Sequence, residues 1–208
     1  MTRRCIAALA LTLAAVGCTR MTRVVVAPDY HERAPRRIAV LPFADLGKED
    51  KFQFVGIGFR SKGGNAGQVV SDAVAMSLLE SGLYEVVDAA SIERVLGRQA
   101  LAAADVLEPA NRAKIGAALG VEAVVVGNVT SMEEGYIIPI FWIDGVNGSC
   151  RMVELAGGAV LWQAQVQNGV VFFTFPPSGV KRAQAESRRA VRLLANRLTE
   201  MRRAGPER

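Results

Sequence analysis

The apolar positions of the chain fall into short continuous runs and into longer stretches with helical spacing, and the two kinds alternate. The run Arg37–Phe43 ends near a proline and predicts a first, central strand. Apolar residues at helical spacing between residues 67 and 81 predict a helix that Gly82 terminates. The run Val121–Thr130 is apolar enough to predict a strand buried on both faces.

Between that first helix and the buried strand, the pattern predicts one more strand and two more helices. Leu83–Val87 alternates and is rich in strand-forming residues. Asp88 or Ser91 can cap the helix that follows, while Pro109 suits the first turn of the next helix.

The last third of the chain predicts a hairpin and a long helix. Two strands, at 150–155 and 159–167, flank a Gly-Gly turn, and residues 180–203 form an amphipathic pattern with a narrow apolar stripe. Helices alternate with strands first and a meander follows, which predicts a single α/β domain, three-layer-like, with a mixed β-sheet flanked by helices and a C-terminal amphipathic helix.

The segment from Ala44 to about Asn65 contains five glycines, and the spacing of Gly56, Gly58, Gly63 and Gly64 resembles parts of phosphate-binding loops. A dinucleotide motif beginning at Gly56 has Ser61 where its third glycine is needed. A Walker motif beginning at Gly58 lacks the Lys-Ser/Thr pair that reaches phosphate and Mg²⁺. We therefore predict a flexible surface loop and no phosphate site.

The N-terminal region has the pattern of a secretory signal. Met1–Arg4 is short and basic, and Ile6–Val16 is continuously apolar. That run is too short for a membrane-spanning helix, which needs about 20 apolar residues. It predicts a signal sequence rather than a permanent membrane segment.

Ala15-Val16-Gly17-Cys18 resembles the lipobox of bacterial lipoproteins, although Ala15 stands where Leu is more frequent. The resemblance implies that Cys18 becomes the new N-terminus and carries acyl chains such as palmitate. Thr19, rather than Asp, implies retention at the outer membrane, on its periplasmic face. The alternatives are an ordinary signal peptide cleaved nearby and a cysteine that occurs here by chance.

These signals divide the chain into four parts. Residues 1–17 are predicted to be the lipoprotein signal peptide, 18–35 a lipidated tether, 36–203 the folded periplasmic domain and 204–208 a disordered tail.

The composition of the chain argues against several classes of function. The net charge of +5 becomes +3 once Arg3 and Arg4 leave with the signal. The sequence has no basic patch with interleaved aromatic residues, so we do not expect it to bind nucleic acid. His31 is the only histidine and falls in the predicted tether, which argues against Ser-His-Asp, Cys-His and zinc sites. Cys150 would be the one cysteine left besides Cys18, so no intramolecular disulfide is expected.

Four carboxylates near the glycine-rich segment are the candidates for an enzyme site: Asp45, Glu49, Asp50 and Asp72. A charged loop and a helix cap explain them better than a catalytic site does. We therefore predict no catalytic residues, no cofactor and no metal.

The succession of patterns resembles the CsgG/HfaB family. The residues that carry it are Arg37–Phe43, the helix ending at Ser81-Gly82, Leu83–Asp88 with Ile92–Leu96, and Gly120–Thr130. The penicillin-binding-protein activator LpoB and the N-terminal domain of TolB look related. The resemblance implies a non-catalytic outer-membrane lipoprotein, an accessory factor in secretion or in assembly of surface structures. Its implied partner is an envelope protein, either a penicillin-binding protein or a secretion subunit, or a second copy of the chain.

The curli-secretion member of that family forms a pore from two long β-hairpins per subunit. The corresponding segments here are Met132–Ser149 and Asn168–Val180. Pro139 and Asp144 make the first marginal for a membrane crossing, and Pro176-Pro177 exclude the second. We keep a curli-type channel subunit as the alternative function.

Both segments are apolar and aromatic. They supply the candidate partner-binding residues Tyr136, Phe141, Trp142, Phe172 and Phe173. Either these are further strands whose aromatic residues fill the core, or they form one exposed patch that binds a partner, a neighbouring subunit or the membrane.

Overall fold

The computed structural model describes residues 19–46, 53–55, 58–62, 65–99, 105–106, 108–138, 141–172 and 179–204. In chain order the elements are β1 (Thr19–Val26), α1 (Tyr30–Arg33), β2 (Arg37–Val40), β3 (Ala44–Asp45), β4 (Gln53–Val55), β5 (Gly58–Lys62), α2 (Ala66–Ser81), β6 (Glu85–Val86), α3 (Ala89–Gln99), α4 (Pro109–Leu119), β7 (Ala123–Ile138), β8 (Phe141–Glu154), β9 (Val160–Phe172) and α5 (Gly179–Ala204).

The described strands form one mixed sheet in the order β1-β9-β8-β7-β2-β6. Strand β2 runs parallel to both β6 and β7, whereas β7, β8, β9 and β1 are successively antiparallel. Short β3 continues along β7 beyond β2, and β5 then pairs with the far end of β7. The predicted α/β class with a mixed sheet is confirmed.

Helices cover both faces of the sheet. On one face, Leu78 of α2 and Leu194 of α5 join the core around Val125. On the other face, Ile115 of α4 packs in a second core with Val124. Because β7 is buried from both sides at this level, its apolar run contains no alternation, as the sequence indicated.

The helix ends follow the predicted signals. Gly82 adopts φ 67° after α2, and its N–H donates to the carbonyl of Leu79 at 3.1 Å. The carboxylate of Asp88 accepts the Ser91 N–H at 2.8 Å and caps α3. Gly120 ends α4 in the same left-handed conformation, with φ 62°. None of the described helices is long and apolar enough to cross a membrane.

Strands β7 and β8 extend well past the predicted ends. The sequence predicted strands at 121–130 and 150–155, but β7 continues to Ile138 and β8 begins at Phe141. Glu133, Glu134 and Gly135 are weak strand formers, yet they pair with β5 on one side and β8 on the other. Tertiary pairing therefore overrides local propensity. Asp144 lies within the strand and does not interrupt it.

This extension is called the arm below. It comprises residues 131–138, 141–147 and 167–172 together with β4 and β5. The β7–β8 ladder has two β-bulges. One follows Val129, at the base of the arm, and the other follows Tyr136, near the end of the arm.

Two sequence predictions are wrong in the described residues. The segment 44–65 is not simply a flexible loop, because β3 and β5 pair with β7 and β4 pairs with β5. The predicted tether contains strand β1, which pairs with β9 over eight residues, and helix α1. Val24 and Val26 pack against the core, and this burial explains why the segment is ordered as a strand.

Candidate functional site

The register of the arm aligns five aromatic residues in one row across five strands. Successive Cα partners in this aromatic row are Phe54, Phe59, Tyr136, Trp142 and Phe172. Neighbouring strands lie about 4.8 Å apart, so the row spans about 19 Å.

The row includes three of the five predicted partner-binding residues. Tyr136, Trp142 and Phe172 belong to it, whereas Phe141 pairs with Ile138 outside the row. Phe173 lies outside the described residues. The two segments form strand over 136–138, 141–143 and 170–172.

The sequence prediction missed Phe54 and Phe59. The signal was present, because Gln53-Phe54-Val55 and Gly58-Phe59-Arg60 are short apolar-centred runs separated by two residues beginning with glycine. That spacing is typical of a tight hairpin.

The N-terminal end of β1 lies at the level of the arm. Thr19 pairs with Gly169 of β9, and Phe172 follows three residues further along that strand. At a rise of about 3.4 Å per residue, the aromatic row is about 10 Å from Thr19 along the sheet. Cys18, which precedes Thr19 in the sequence, is outside the described residues. Thr19 therefore lies close to the arm.

A buried polar cluster connects the base of the arm to α5. The side-chain amide of Asn168 donates to the carboxylate of Glu186 at 2.8 Å, and its backbone N–H donates to the Asn147 side chain at 3.0 Å. Asn147 in turn donates to Ser131 Oγ at 2.7 Å. Asn168 and Glu186 are 1% and 2% exposed. Because buried polar groups are costly unless they are bonded, this cluster fixes the arm relative to the helix.

Cys150 lines a small cavity of about 40 Å³ under α5, together with Phe43, Val74 and Ala164. Burial raises the pKa of its thiol to about 12, so the thiol is protonated at neutral pH. A protonated thiol is a poor nucleophile. Cys150 is half-buried and acts here as a small apolar residue.

The candidate catalytic carboxylates do not gather into a site among the described residues. Asp72 is exposed on α2, where its carboxylate accepts a hydrogen bond from Gln68 at 2.8 Å. Asp45 is exposed in β3, and Glu49 and Asp50 fall outside the described residues. No group of three or more His, Cys, Asp or Glu residues in the described ranges could hold a metal ion.

His31 lies in α1, exposed, with its ring 5.7 Å from that of Tyr30 in an edge-on arrangement. It is remote from the aromatic row in the topology, since α1 follows the opposite end of β1. The arm, with its aromatic row and the adjoining N-terminal end of β1, is therefore the candidate functional site.

Comparison with known proteins extends this description. Among solved structures, the chain is similar to lipoprotein GNA1162 from Neisseria meningitidis, with 24% identity, a TM-score of 0.53 and coverage of 78% of this chain and 99% of that one. The PelC dodecamer from Paraburkholderia phytofirmans has 14% identity and a TM-score of 0.49, with coverage of 83% and 95%. LpoB from E. coli has 9% identity and a TM-score of 0.44, with coverage of 69% and 64%. The likeness to GNA1162 shows a shared fold.

A search of curated proteins gives no match. The profile of one family, described as "Curli production assembly/transport component CsgG", matches residues 22–136. The matched region begins in β1, crosses the parallel core and ends at Tyr136 in the arm. Since it covers more than half of the chain, and since the residue pattern had indicated the same relationship, the protein belongs to the CsgG family.

Proposed function

We propose that this protein is an outer-membrane lipoprotein, anchored through Cys18, that acts without catalysis as an accessory or assembly factor for cell-envelope or surface structures. Membership of the CsgG family, whose description is an assembly and transport component, supports the biological role. The lipobox-like sequence supports the anchor. Its proposed partner is an envelope protein, a penicillin-binding protein or a secretion subunit, or a second copy of the chain.

The position of β1 is the observation that carries the proposal. Thr19 pairs with Gly169, so acyl chains on Cys18 would enter the membrane beside the arm. The aromatic row is only about 10 Å further along the sheet. Trp and Tyr favour the interface between lipid and water, where the ring is in an apolar region and the polar atom stays hydrated. The end of the arm is thus the part of the domain that meets the membrane and whatever is assembled there.

The two tryptophans of the chain provide a direct test. Trp162 is 2% exposed in the core, whereas Trp142 belongs to the aromatic row. In vesicles containing brominated lipid, Trp142 fluorescence in the variant Trp162→Phe is expected to be quenched. Trp162 fluorescence in the matched variant Trp142→Phe should be unaffected.

The anchor is tested with the same vesicles and in cells. Cys18→Ala should abolish palmitate labelling and move the protein out of the membrane fraction. Recovery of the labelled, anchored protein with Trp142 unquenched would contradict the position of the arm but not the anchor. Wild-type protein that is unlabelled and absent from the membrane fraction would contradict the lipoprotein itself.

A curli-type channel subunit is the second candidate, because β7 and β8 continue beyond the core as the paired strands of the arm. The part of β7 in the arm, 131–138, has eight residues, whereas a membrane-crossing strand needs about 9 to 11. Such a channel requires arms from several copies to close into a barrel, because an open sheet edge is excluded from lipid. Ring-shaped assemblies in detergent with ion conductance would support it, and a conductance-free monomer would contradict it.

A further inference from the structure

Helix α5 presents a strongly basic surface that the proposed function does not use. Over its 26 residues it carries eight Lys and Arg residues but only two acidic ones, Glu186 and Glu200. Glu186 is buried at the base of the arm, so Glu200 is the only acidic side chain of this helix at the surface. The excess of positive charge is therefore on the outside of the domain.

Three of the basic residues form a straight line along the helix. Lys181, Arg192 and Arg203 are each eleven residues apart, and eleven residues complete almost three helical turns. All three are exposed. At a rise of about 1.5 Å per residue, they are about 16 Å apart and the basic line is about 33 Å long.

The charges of this basic line are not used in ion pairs within the described chain. Among the described residues, the ion pairs of α5 join Arg188 to Glu80 of α2 at 3.1 Å and Arg197 to Glu200 at 3.2 Å. Neither includes Lys181, Arg192 or Arg203. The Nε–H of Arg192 donates to the backbone carbonyl of Arg188 at 3.4 Å, which uses one of its five N–H donors and does not neutralise its charge. The three positive charges therefore remain available to an external anion.

The direction of the basic line distinguishes between possible anions. Glu186, in the first part of α5, bonds Asn168, whose strand partner is Arg20 near the start of β1. At the other end of α5, Met201 packs in the core that contains Tyr30, which follows the end of β1. The helix therefore runs along β1, away from Thr19. A membrane that holds Cys18 lies nearest Lys181, while Arg203 is about 33 Å further along the helix.

That distance exceeds the range of a charged membrane surface, because salt screens charges beyond about 8 Å. An extended polymer with carboxylates at intervals can contact all three positions at once. Guanidinium groups also match carboxylates in geometry. We infer that the basic line of α5 binds a carboxylate-bearing polymer of the cell wall, with the chemistry of the peptidoglycan stem peptides. The choice of this polymer rests on the proposed periplasmic location.

Co-sedimentation with isolated peptidoglycan sacculi tests the inference, using the full-length protein in detergent. The variant K181Q/R192Q/R203Q should bind about tenfold more weakly than wild type, the combined effect of three exposed ionic contacts. Wild-type binding should fall with added salt and disappear on sacculi whose carboxylates have been amidated. The melting temperature should be unchanged, because all three side chains are exposed.

The matched control is R94Q/R98Q/K114Q, which removes the same charge from exposed positions on α3 and α4, on the opposite side of the sheet. It should bind sacculi like wild type. Equal losses in both triple variants, retained binding in the α5 variant, or loss only on anionic phospholipid vesicles would each overturn the inference. Because sacculus binding in detergent does not need the anchor, its failure would leave the lipoprotein proposal standing.

Discussion

At the scale of single residues, close backbone contact decides which positions tolerate change. Gly67, in the first turn of α2, lies against the backbone of Phe43, and a Cβ added there would overlap the Phe43 carbonyl oxygen. Gly97 of α3 is also helical, but nothing is within 4 Å of the corresponding Cβ position. The two glycines therefore allow the same substitution to be compared with and without a neighbour.

We expect Gly67→Ala to lower the free energy of unfolding by about 3 kcal/mol, because α2 must move away from the chain that follows β2. Gly97→Ala should raise it by up to about 1 kcal/mol through helix propensity. Urea denaturation of both variants measures the difference. Equal effects would show that α2 does not pack this closely.

The buried tyrosine pair provides a prediction of pH dependence. The hydroxyl groups of Tyr30 and Tyr84 are 2.6 Å apart, and burial raises the pKa of both phenols above the usual value of about 10. A raised pKa means that the folded state favours the neutral form. The resulting stabilisation is complete below pH of about 10 and is lost as the pH rises above it.

The wild-type melting temperature should therefore fall more steeply above pH 10 than that of Y30F/Y84F. At neutral pH, Y84F should cost about 1 to 2 kcal/mol, since it leaves the buried Tyr30 hydroxyl without this partner. The double variant should cost less than the sum of the two single variants. Additive losses would show that the hydroxyl groups do not interact.

At the scale of elements, β1 shows how an edge strand is specified by one face. Val24 packs against the core, whereas its neighbour Val25 is 51% exposed. Alternation is the mark of a strand with one buried side. In a flexible tether, the side chains at these two positions would be equally exposed.

We predict that Val24→Asp lowers the free energy of unfolding by about 2 kcal/mol, because it buries a charge against the core. Val25→Asp should change it by less than about 1 kcal/mol. Thermal unfolding of the two variants measures the difference. Equal losses of stability would show that residues 19–26 form a tether that does not pack on the core.

At the scale of the whole molecule, the parallel core could be predicted from the sequence and the arm could not. Strong local signals marked the core: the apolar run at 121–130, Pro109, Gly82 and Gly120. The arm depends on pairing between residues far apart in the chain, such as Phe59 with Tyr136. The alternation of side chains along a strand does not indicate which strand pairs with it. The aromatic row therefore becomes evident only from the observed strand register. Three of its five residues were nevertheless identified from their apolar and aromatic surroundings.

The pairing of β1 with β9 has a mechanical consequence for a lipoprotein of this design. A load from the membrane would reach the domain at Thr19 and act along the length of the strand. Eight paired residues would then share the force in shear, whereas a strand pulled sideways loses its bonds one after another. The force needed to detach β1 would then rise with the number of paired residues, so a pairing of eight residues favours a firm attachment of the domain to its anchor.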